Sequence, residues 1–189
     1  QTALGSLSGP DKLTEVGGVG LFGLTGITDL SGLEALTQVG GLALEYCTSL
    51  TSLDGLNSLV SLVGITLKNN EALSSIAIPE SVTSLTGSLH IGHLPALADL
   101  SSLSNLTEGG GDLEIGKSYV GNMGFSTVPE RTGLEGITSV GEDLIIGGTV
   151  SLADISPLAN VTSVGGHLQI TDNQDLASIQ GLSGCTSVG

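Results

Sequence analysis

The chain has 189 residues, 39% of them hydrophobic and 2% aromatic, which is enough apolar content to bury a core of its own. Its formal net charge at pH 7 is −15, and four Lys and Arg against nineteen Asp and Glu exclude nucleic acid as a partner, because that affinity comes largely from basic side chains. No run of 18 apolar residues is present, so we expect no membrane insertion.

A repeat of 23 to 28 residues fills the sequence. Self-similarity at such a period is typical of solenoids, in which each unit buries its apolar edge against its neighbours. We therefore predict one mostly β solenoid domain over residues 1–189, with about seven stacked coils. The hydrophobic residues that end successive units are Leu7, Leu30, Leu53, Ile76, Leu100, Val128, Ile155 and Ile179.

Each unit contains a short segment in which apolar and polar residues alternate, as in Leu113-Glu114-Ile115. A period of two indicates a half-buried strand, so successive copies should stack as one parallel sheet. Two glycines precede this segment in several units, as at Gly40-Gly41, where we expect a corner that needs the positive φ open to glycine. The inward rows are predicted to be Leu42, Leu44, Ile65, Leu67, Leu89, Ile91, Leu113, Ile115, Leu144, Ile146, Leu168 and Ile170.

Two further columns recur along the repeat. Asn70, Asn173 and Cys47 share a position just after the strand, where we predict a structural ladder that satisfies backbone groups of the turn. The second column is rich in Thr, and an exposed Thr array raises the alternative of an ice-matching face. Its neighbours are irregular and Thr suits a β surface, so a structural role is favoured. This column consists of Thr14, Thr37, Val60, Thr83, Thr107, Thr138, Thr162 and Thr186.

The two cysteines, Cys47 and Cys185, lie in different repeats. They are about six coils apart, and at roughly 4.8 Å per coil that distance is far beyond the one a disulfide permits. Both are predicted to be free and buried.

Together these features define the frame LxxLTxVGGxLxIxxNxxLxxL, which resembles the receptor L-domain type of leucine-rich repeat. The resemblance rests on Val-Gly-Gly, the LxI strand and the Asn or Cys position, and it covers essentially the whole chain. It implies a leucine-rich-repeat solenoid located outside the cell with a non-enzymatic role. The double glycine of the frame is incomplete at residues 62–64, 85–87 and 140–142.

Two sequons occupy equivalent repeat positions, Asn105-Leu106-Thr107 and Asn160-Val161-Thr162. They make Asn105 and Asn160 candidate N-glycosylation sites, which agrees with an extracellular or cell-surface location. The alternative is that the repeat frame supplies the Thr of each sequon by itself.

The sequence gives no support for catalysis. It contains no GxSxG elbow and no Walker loop, and its three histidines are scattered, so we predict no enzyme activity, no metal and no cofactor. Asp112 and Glu114 alternate along one strand and raise the alternative of a calcium site with Glu142 or Asp143 of the next coil. A solvated acidic face is favoured over that alternative.

One stretch departs from the repeat, residues 116–133, where the sequence GKSYVGNMGFSTVPERTG lengthens two units. Insertions in solenoids map to loops on one face, and such loops commonly carry binding. A loop that packs back over the core through its Met and Phe is the alternative, and it is favoured over binding. The candidate binding residues, of types that interfaces favour, are Lys117, Tyr119, Met123, Phe125 and Arg131.

These observations predict a structural or assembly unit of a cell-surface layer or filament. The alternative is a recognition or adhesion module that binds a protein or a glycan through the sheet face and the 116–133 loop. Scarcity of aromatic residues weakens stacking on sugars and favours the first. Both ends of the sequence lie inside repeats, next to Leu7 and Val188, so the expected partner is further protein: more of the same chain, or a second copy end to end.

Overall fold

A computed structural model of the chain describes residues 4–98, 100–116 and 133–189. In these ranges the regular structure is almost all β, with three short 3-10 turns at Ser101–Leu103, Ser156–Leu158 and Gln180–Leu182. The strands are β1 (Glu15–Phe22), β2 (Gln38–Glu45), β3 (Ser61–Lys68), β4 (Ser84–Leu85), β5 (Leu89–Gly92), β6 (Glu108–Gly109), β7 (Leu113–Ile115), β8 (Ser139–Val140), β9 (Leu144–Gly147), β10 (Ser163–Val164), β11 (Leu168–Thr171) and β12 (Ser187–Val188).

These strands form two parallel sheets. The long sheet has seven strands in the order β1-β2-β3-β5-β7-β9-β11, and the short sheet has five in the order β12-β10-β8-β6-β4. Each strand pairs with the equivalent strand of the next repeat, so the chain winds as a β-solenoid of about seven turns. The predicted fold class is confirmed. We number the turns as coils 1 to 7 after the strands of the long sheet.

The inward rows of the long sheet form the core. Ten of the twelve predicted inward residues are at most 5% exposed. The prediction is wrong in β11, where Leu168 is 37% exposed and Ile170 is only half-buried. The reason is that β11 is an edge strand of the long sheet, with a described coil packed on one side only.

The corner glycines have a different cause from the predicted one. Neither Gly40 nor Gly41 has a positive φ. Instead, a Cβ on Gly40 would collide with the carbonyl oxygen of Gly17 in the preceding coil, and a Cβ on Gly165 with that of Gly141. At these two positions glycine is required because the carbonyl of the preceding coil lies too close for a side chain.

Positive φ occurs at another column, directly after each strand of the long sheet. A side chain in this left-handed region costs about 1–2 kcal/mol, yet Tyr46, Asn69, His93 and Asp172 all adopt it. The turn after the strand is therefore set by the backbone, whatever residue occupies it. The column consists of Gly23, Tyr46, Asn69, His93, Gly116, Gly148 and Asp172, with φ between 53° and 94°.

The next position carries the Asn ladder, and its predicted structural role is confirmed. Asn70 is fully buried, its Oδ1 accepts the N–H of Cys47 at 2.9 Å, and its Nδ2 donates to the carbonyl of Leu44 at 2.9 Å. Asn173 repeats the arrangement in coil 7, where its Oδ1 accepts the N–H of Thr149 at 3.3 Å. Each amide side chain thus satisfies buried backbone groups of the preceding coil.

Both cysteines are free, as predicted. Cys47 is buried, its Sγ donates to the carbonyl of Leu21 at 3.5 Å, and burial raises the pKa of its thiol. Cys185 is partly exposed, so the prediction that both are buried is wrong there. The cause is the same as at Leu168, since Cys185 follows coil 7 and lacks the described neighbour on one side that covers interior coils.

The corner between the two sheets takes two forms. In coils 1–3 two residues separate the inward residues on either side of it, as between Val39 and Leu42, and one strand of eight residues runs through. In coils 4–7 three residues separate them, as between Val140 and Leu144, and the chain breaks into one strand of each sheet. Of the incomplete glycine pairs, 62–64 keeps the continuous strand, whereas 85–87 and 140–142 lie in broken corners.

Candidate interaction surfaces

The predicted binding loop lies outside the described residues, so Lys117, Tyr119, Met123, Phe125 and Arg131 remain a prediction. The two glycines that bound it are described. Gly116 and Gly133 have φ of 94° and 114°, a conformation that side chains rarely adopt.

The two candidate glycosylation sites are exposed on one edge of the stack. Asn105 and Asn160 occupy equivalent positions two coils apart, a separation of about 10 Å at the usual strand spacing. The Nδ2 of Asn160 donates to the carbonyl of Glu135 at 2.7 Å, along the preceding coil. The geometry agrees with glycans that project from the same edge, and their presence remains a prediction.

The Thr column forms a ladder of hydrogen bonds across coils. The backbone N–H and Oγ1 of Thr162 both donate to the carbonyl of Thr138, at 2.9 and 3.1 Å, and Thr186 bonds to Thr162 in the same way. Val60 keeps only the backbone bond, to Thr37 at 2.8 Å. The hydroxyls serve the solenoid's own backbone, which supports the structural interpretation over an ice-matching face.

Side chains close the broken corners of coils 4–7. The N–H of Asp112 donates to Ser88 Oγ at 3.1 Å, and the N–H of Asp143 donates to Asp112 Oδ1 at 3.0 Å. The N–H of His167 donates to Asp143 Oδ1 at 2.7 Å. The first two of these N–H groups are partly buried and need an acceptor, and a side chain of the preceding coil supplies one to all three, including the exposed His167.

Asp143 also faces the imidazole of His167, whose Nδ1 lies 3.1 Å from the same Oδ1. The hydrogen bond from the His167 backbone lowers the pKa of the Asp143 carboxyl, and the bond and charge of the ring lower it further. Asp112 and Asp143 therefore have a structural task, and the predicted calcium alternative has no support at this corner.

An ion pair lies on the outward face of the long sheet. Lys68 Nζ is 3.1 Å from Glu114 Oε1, although the two residues are 46 positions apart, and both side chains are nearly buried. His90 lies between them in the sheet, with its buried Nε2 3.8 Å from Asp112 Oδ2 and 4.0 Å from Glu114 Oε2. The prediction of a solvated acidic face is thus wrong at Glu114.

Sequence reasoning missed this pair because its partners meet only through the parallel register. Lys68 ends β3 and Glu114 is the middle of β7, with β5 between them. The sequence signal for this pair was that both residues occupy outward positions of the long sheet, in neighbouring columns of the repeat. Among the described residues, no group of three or more His, Cys, Asp or Glu side chains is placed to hold a metal ion.

A shallow groove crosses the outward face of β1–β3. Its floor carries almost no side chains, and Phe22, which is exposed, stands at its edge with its ring over Gly20. Two charged residues of these strands, Glu45 of β2 and Lys68 of β3, are paired directly in the parallel register. The groove is lined by residues that include Gly18, Gly20, Gly41, Ala43, Gly64 and Thr66.

The outer side of coil 7 is apolar. Ile179 is 59% exposed, whereas the equivalent Ile155 one coil earlier is 2% exposed. Val188 of β12, which stacks on coil 7, is likewise exposed where Val164 is buried, and Leu168 is the third such position. Each coil in the interior buries these positions against its successor.

No protein-family model, no curated protein and no solved structure matches the chain. None of the helical segments in the described ranges is long and apolar enough to cross a membrane.

Proposed function

We propose that the protein is a non-enzymatic, extracellular structural unit that assembles with further protein into a cell-surface layer or filament. The observation that carries the proposal is the apolar outer side of coil 7, where Leu168, Ile179 and Val188 are exposed at positions that interior coils bury. A solenoid coil without a polar cap exposes apolar edges and unpaired strand groups, which favour stacking.

The other side of the stack supports the same proposal. In coil 1 the inward residues Val16, Val19 and Leu21 are only half-buried, and β1 is an edge strand of the long sheet. We propose that cover at either side comes from further protein, either of the same polypeptide or of a neighbouring molecule. In both cases the unit acts through its coil faces and not through a chemical centre.

Two observations support the extracellular location. It agrees with the two exposed sequon residues, Asn105 and Asn160, on one edge of the stack. It also agrees with the resemblance of the repeat frame to receptor L-domains.

The test is the association state of the 189-residue chain, measured by sedimentation velocity over a wide concentration range and by electron microscopy. We expect association that increases with salt, because copies with a net charge of −15 repel each other and screening shortens the Debye length from about 10 Å at 0.1 M to about 3 Å at 1 M. A monodisperse monomer at every concentration and salt would contradict the proposal.

A matched pair of variants locates the contact. Ile179→Lys places a charge on the outer side of coil 7 and should weaken association. Val60→Lys is the control, since Val60 is 56% exposed against 59% for Ile179 but lies in the middle of the solenoid. Equal behaviour of the two variants would separate any association from the coil faces.

A second candidate, recognition or adhesion, is favoured by the groove over β1–β3 and the exposed ring of Phe22 at its edge. Aromatic rings provide stacking surface for sugars and anchors for proteins. Binding to a panel of immobilised glycans that is lost in Phe22→Ala, with association unchanged, would favour this candidate.

A further inference from the structure

We propose that the corner of coils 4–7 is sensitive to acid. We call it the seam: here the carboxylates of Asp112 and Asp143 accept backbone N–H groups of the following coil, an arrangement with no counterpart in coils 1–3. The proposal is independent of the assembly function. It concerns which hydrogen bonds hold the two sheets together at the corner.

The seam follows from the count of residues at the corner. In coils 1–3 the strand runs through it, and the ladder between β1 and β2 has pairs on both sides of the corner, Val16↔Val39 and Gly18↔Gly41, with no pair at Gly17 and Gly40 between them. In coils 4–7 the gap is wider, with three residues between the pairs Gly109↔Val140 and Leu113↔Leu144. The N–H groups of Asp143 and His167 then donate to carboxylates of the preceding coil, Asp112 Oδ1 and Asp143 Oδ1.

The first step of the seam differs from the other two in a useful way. The N–H of Asp112 donates to the hydroxyl of Ser88, which does not titrate in this range. One corner of the same type therefore contains a neutral acceptor, and the next two contain acceptors that are neutralised in acid. The Asp112 amide therefore serves as an internal control for the sensitivity of the other two amides to acid.

Other ionisable groups face the seam in the part of the chain that the structure describes. His167 faces Asp143 at 3.1 Å, and His90 faces Asp112 at 3.8 Å. Glu114, paired with Lys68, lies 4.0 Å from the same imidazole, and Glu142 precedes Asp143 in the corner.

The direction of the effect follows from the pKa of Asp143, which is lowered from its ordinary value of 3.8 in the folded protein. A lowered pKa means that the charged carboxylate contributes stability, which is fully present above pH 3.8 and is lost as the pH falls through the folded pKa. We therefore place the opening of the seam below about pH 4.

The experiment is residue-resolved amide hydrogen exchange by NMR on the 189-residue chain at pH 6 and pH 2.5, corrected for the intrinsic exchange rates. Protection of the Asp143 and His167 amides should fall about 5- to 10-fold in acid, since a charged acceptor is roughly twice as strong as a neutral one. The Asp112 amide and the ladder amides of β2 should keep their protection. Equal loss in all coils, or no loss at the two amides, would overturn the proposal.

Isosteric variants separate titration from damage to the fold. In Asp143→Asn the side-chain oxygen still accepts a hydrogen bond but does not titrate, so the His167 amide should become insensitive to acid. Asp112→Asn should do the same for the Asp143 amide. His167→Gln removes the ring and keeps the backbone N–H, and its amide must still lose protection in acid; if it does not, the imidazole and not the carboxylate controls the seam.

Discussion

Coils 1–3 and coils 4–7 share one core and differ at one corner. In both regions the inward rows of the interior coils are buried and the coils stack in parallel register. In the first region an eight-residue strand passes through the corner, and in the second the strand is divided between two sheets. A solenoid thus separates two tasks, since burial fixes the stacking while the corner only has to satisfy its N–H groups.

The difference arises from one residue per coil. Each of the three units between Leu7 and Ile76 is 23 residues long, and the next unit, from Ile76 to Leu100, is 24 residues long. The additional position holds the column Ser88, Asp112, Asp143 and His167, and the side chains of its first three members accept the N–H groups that the broken strand leaves. A backbone acceptor is thereby replaced by a side-chain acceptor.

The largest expected effect tests whether the core is common to both regions. Leu42→Ala in coil 2 and Leu144→Ala in coil 6 remove equally buried side chains and should each lower the free energy of unfolding by about 2–5 kcal/mol. Leu168→Ala in coil 7 should cost clearly less, because that side chain is 37% exposed. Urea unfolding followed by circular dichroism measures all three, and clearly unequal values for the first two variants would show that the regions have different cores.

Much of the fold could be predicted from the sequence because its signals are local. The period, the LxI strands and the Asn ladder each depend on residues that repeat in every coil. The sequence also contains both corner forms, with two residues between Val39 and Leu42 and three between Val140 and Leu144. The glycine pair itself suggested a positive φ, which the structure does not have there. Close approach between coils depends on the stacking distance, which no single repeat contains.

The candidate sites were harder to predict because they depend on neighbouring coils. The Lys68–Glu114 pair requires the register of three strands, and the roles of Asp112 and Asp143 require knowing which N–H groups the corner leaves. Asn105 and Asn160, in contrast, follow from a motif, and their exposure could be inferred from their place in the repeat.

An intermediate effect is expected from the corner glycines, and it should be the same in both regions. Gly40→Ala in coil 2 and Gly141→Ala in coil 6 force a Cβ against the carbonyl oxygen of the preceding coil, which should cost about 1–3 kcal/mol. Gly41→Ala is the control, because no atom lies within 4 Å of its Cβ position and a change within about 0.5 kcal/mol is expected. Thermal unfolding of the three variants decides it, and a harmless Gly141→Ala would mean that the broken corner leaves room between coils.

The smallest effect concerns the Thr ladder, which crosses both regions without regard to the corner. Thr162→Val removes the Oγ1 bond to Thr138 and keeps the β-branched shape and the backbone N–H bond of 2.9 Å. The chain already contains this arrangement in coil 3, where Val60 bonds to Thr37 through its N–H alone. An exposed hydroxyl bond contributes little beyond what water supplies, so we expect a loss of at most about 0.5–1 kcal/mol in urea unfolding. Val60→Thr is the reverse change and should stabilise coil 3 by a similar amount. A loss above about 1.5 kcal/mol in Thr162→Val, with no gain in Val60→Thr, would show that the ladder supports coils 4–7 specifically and would extend the difference between the regions from the corner to the Thr column.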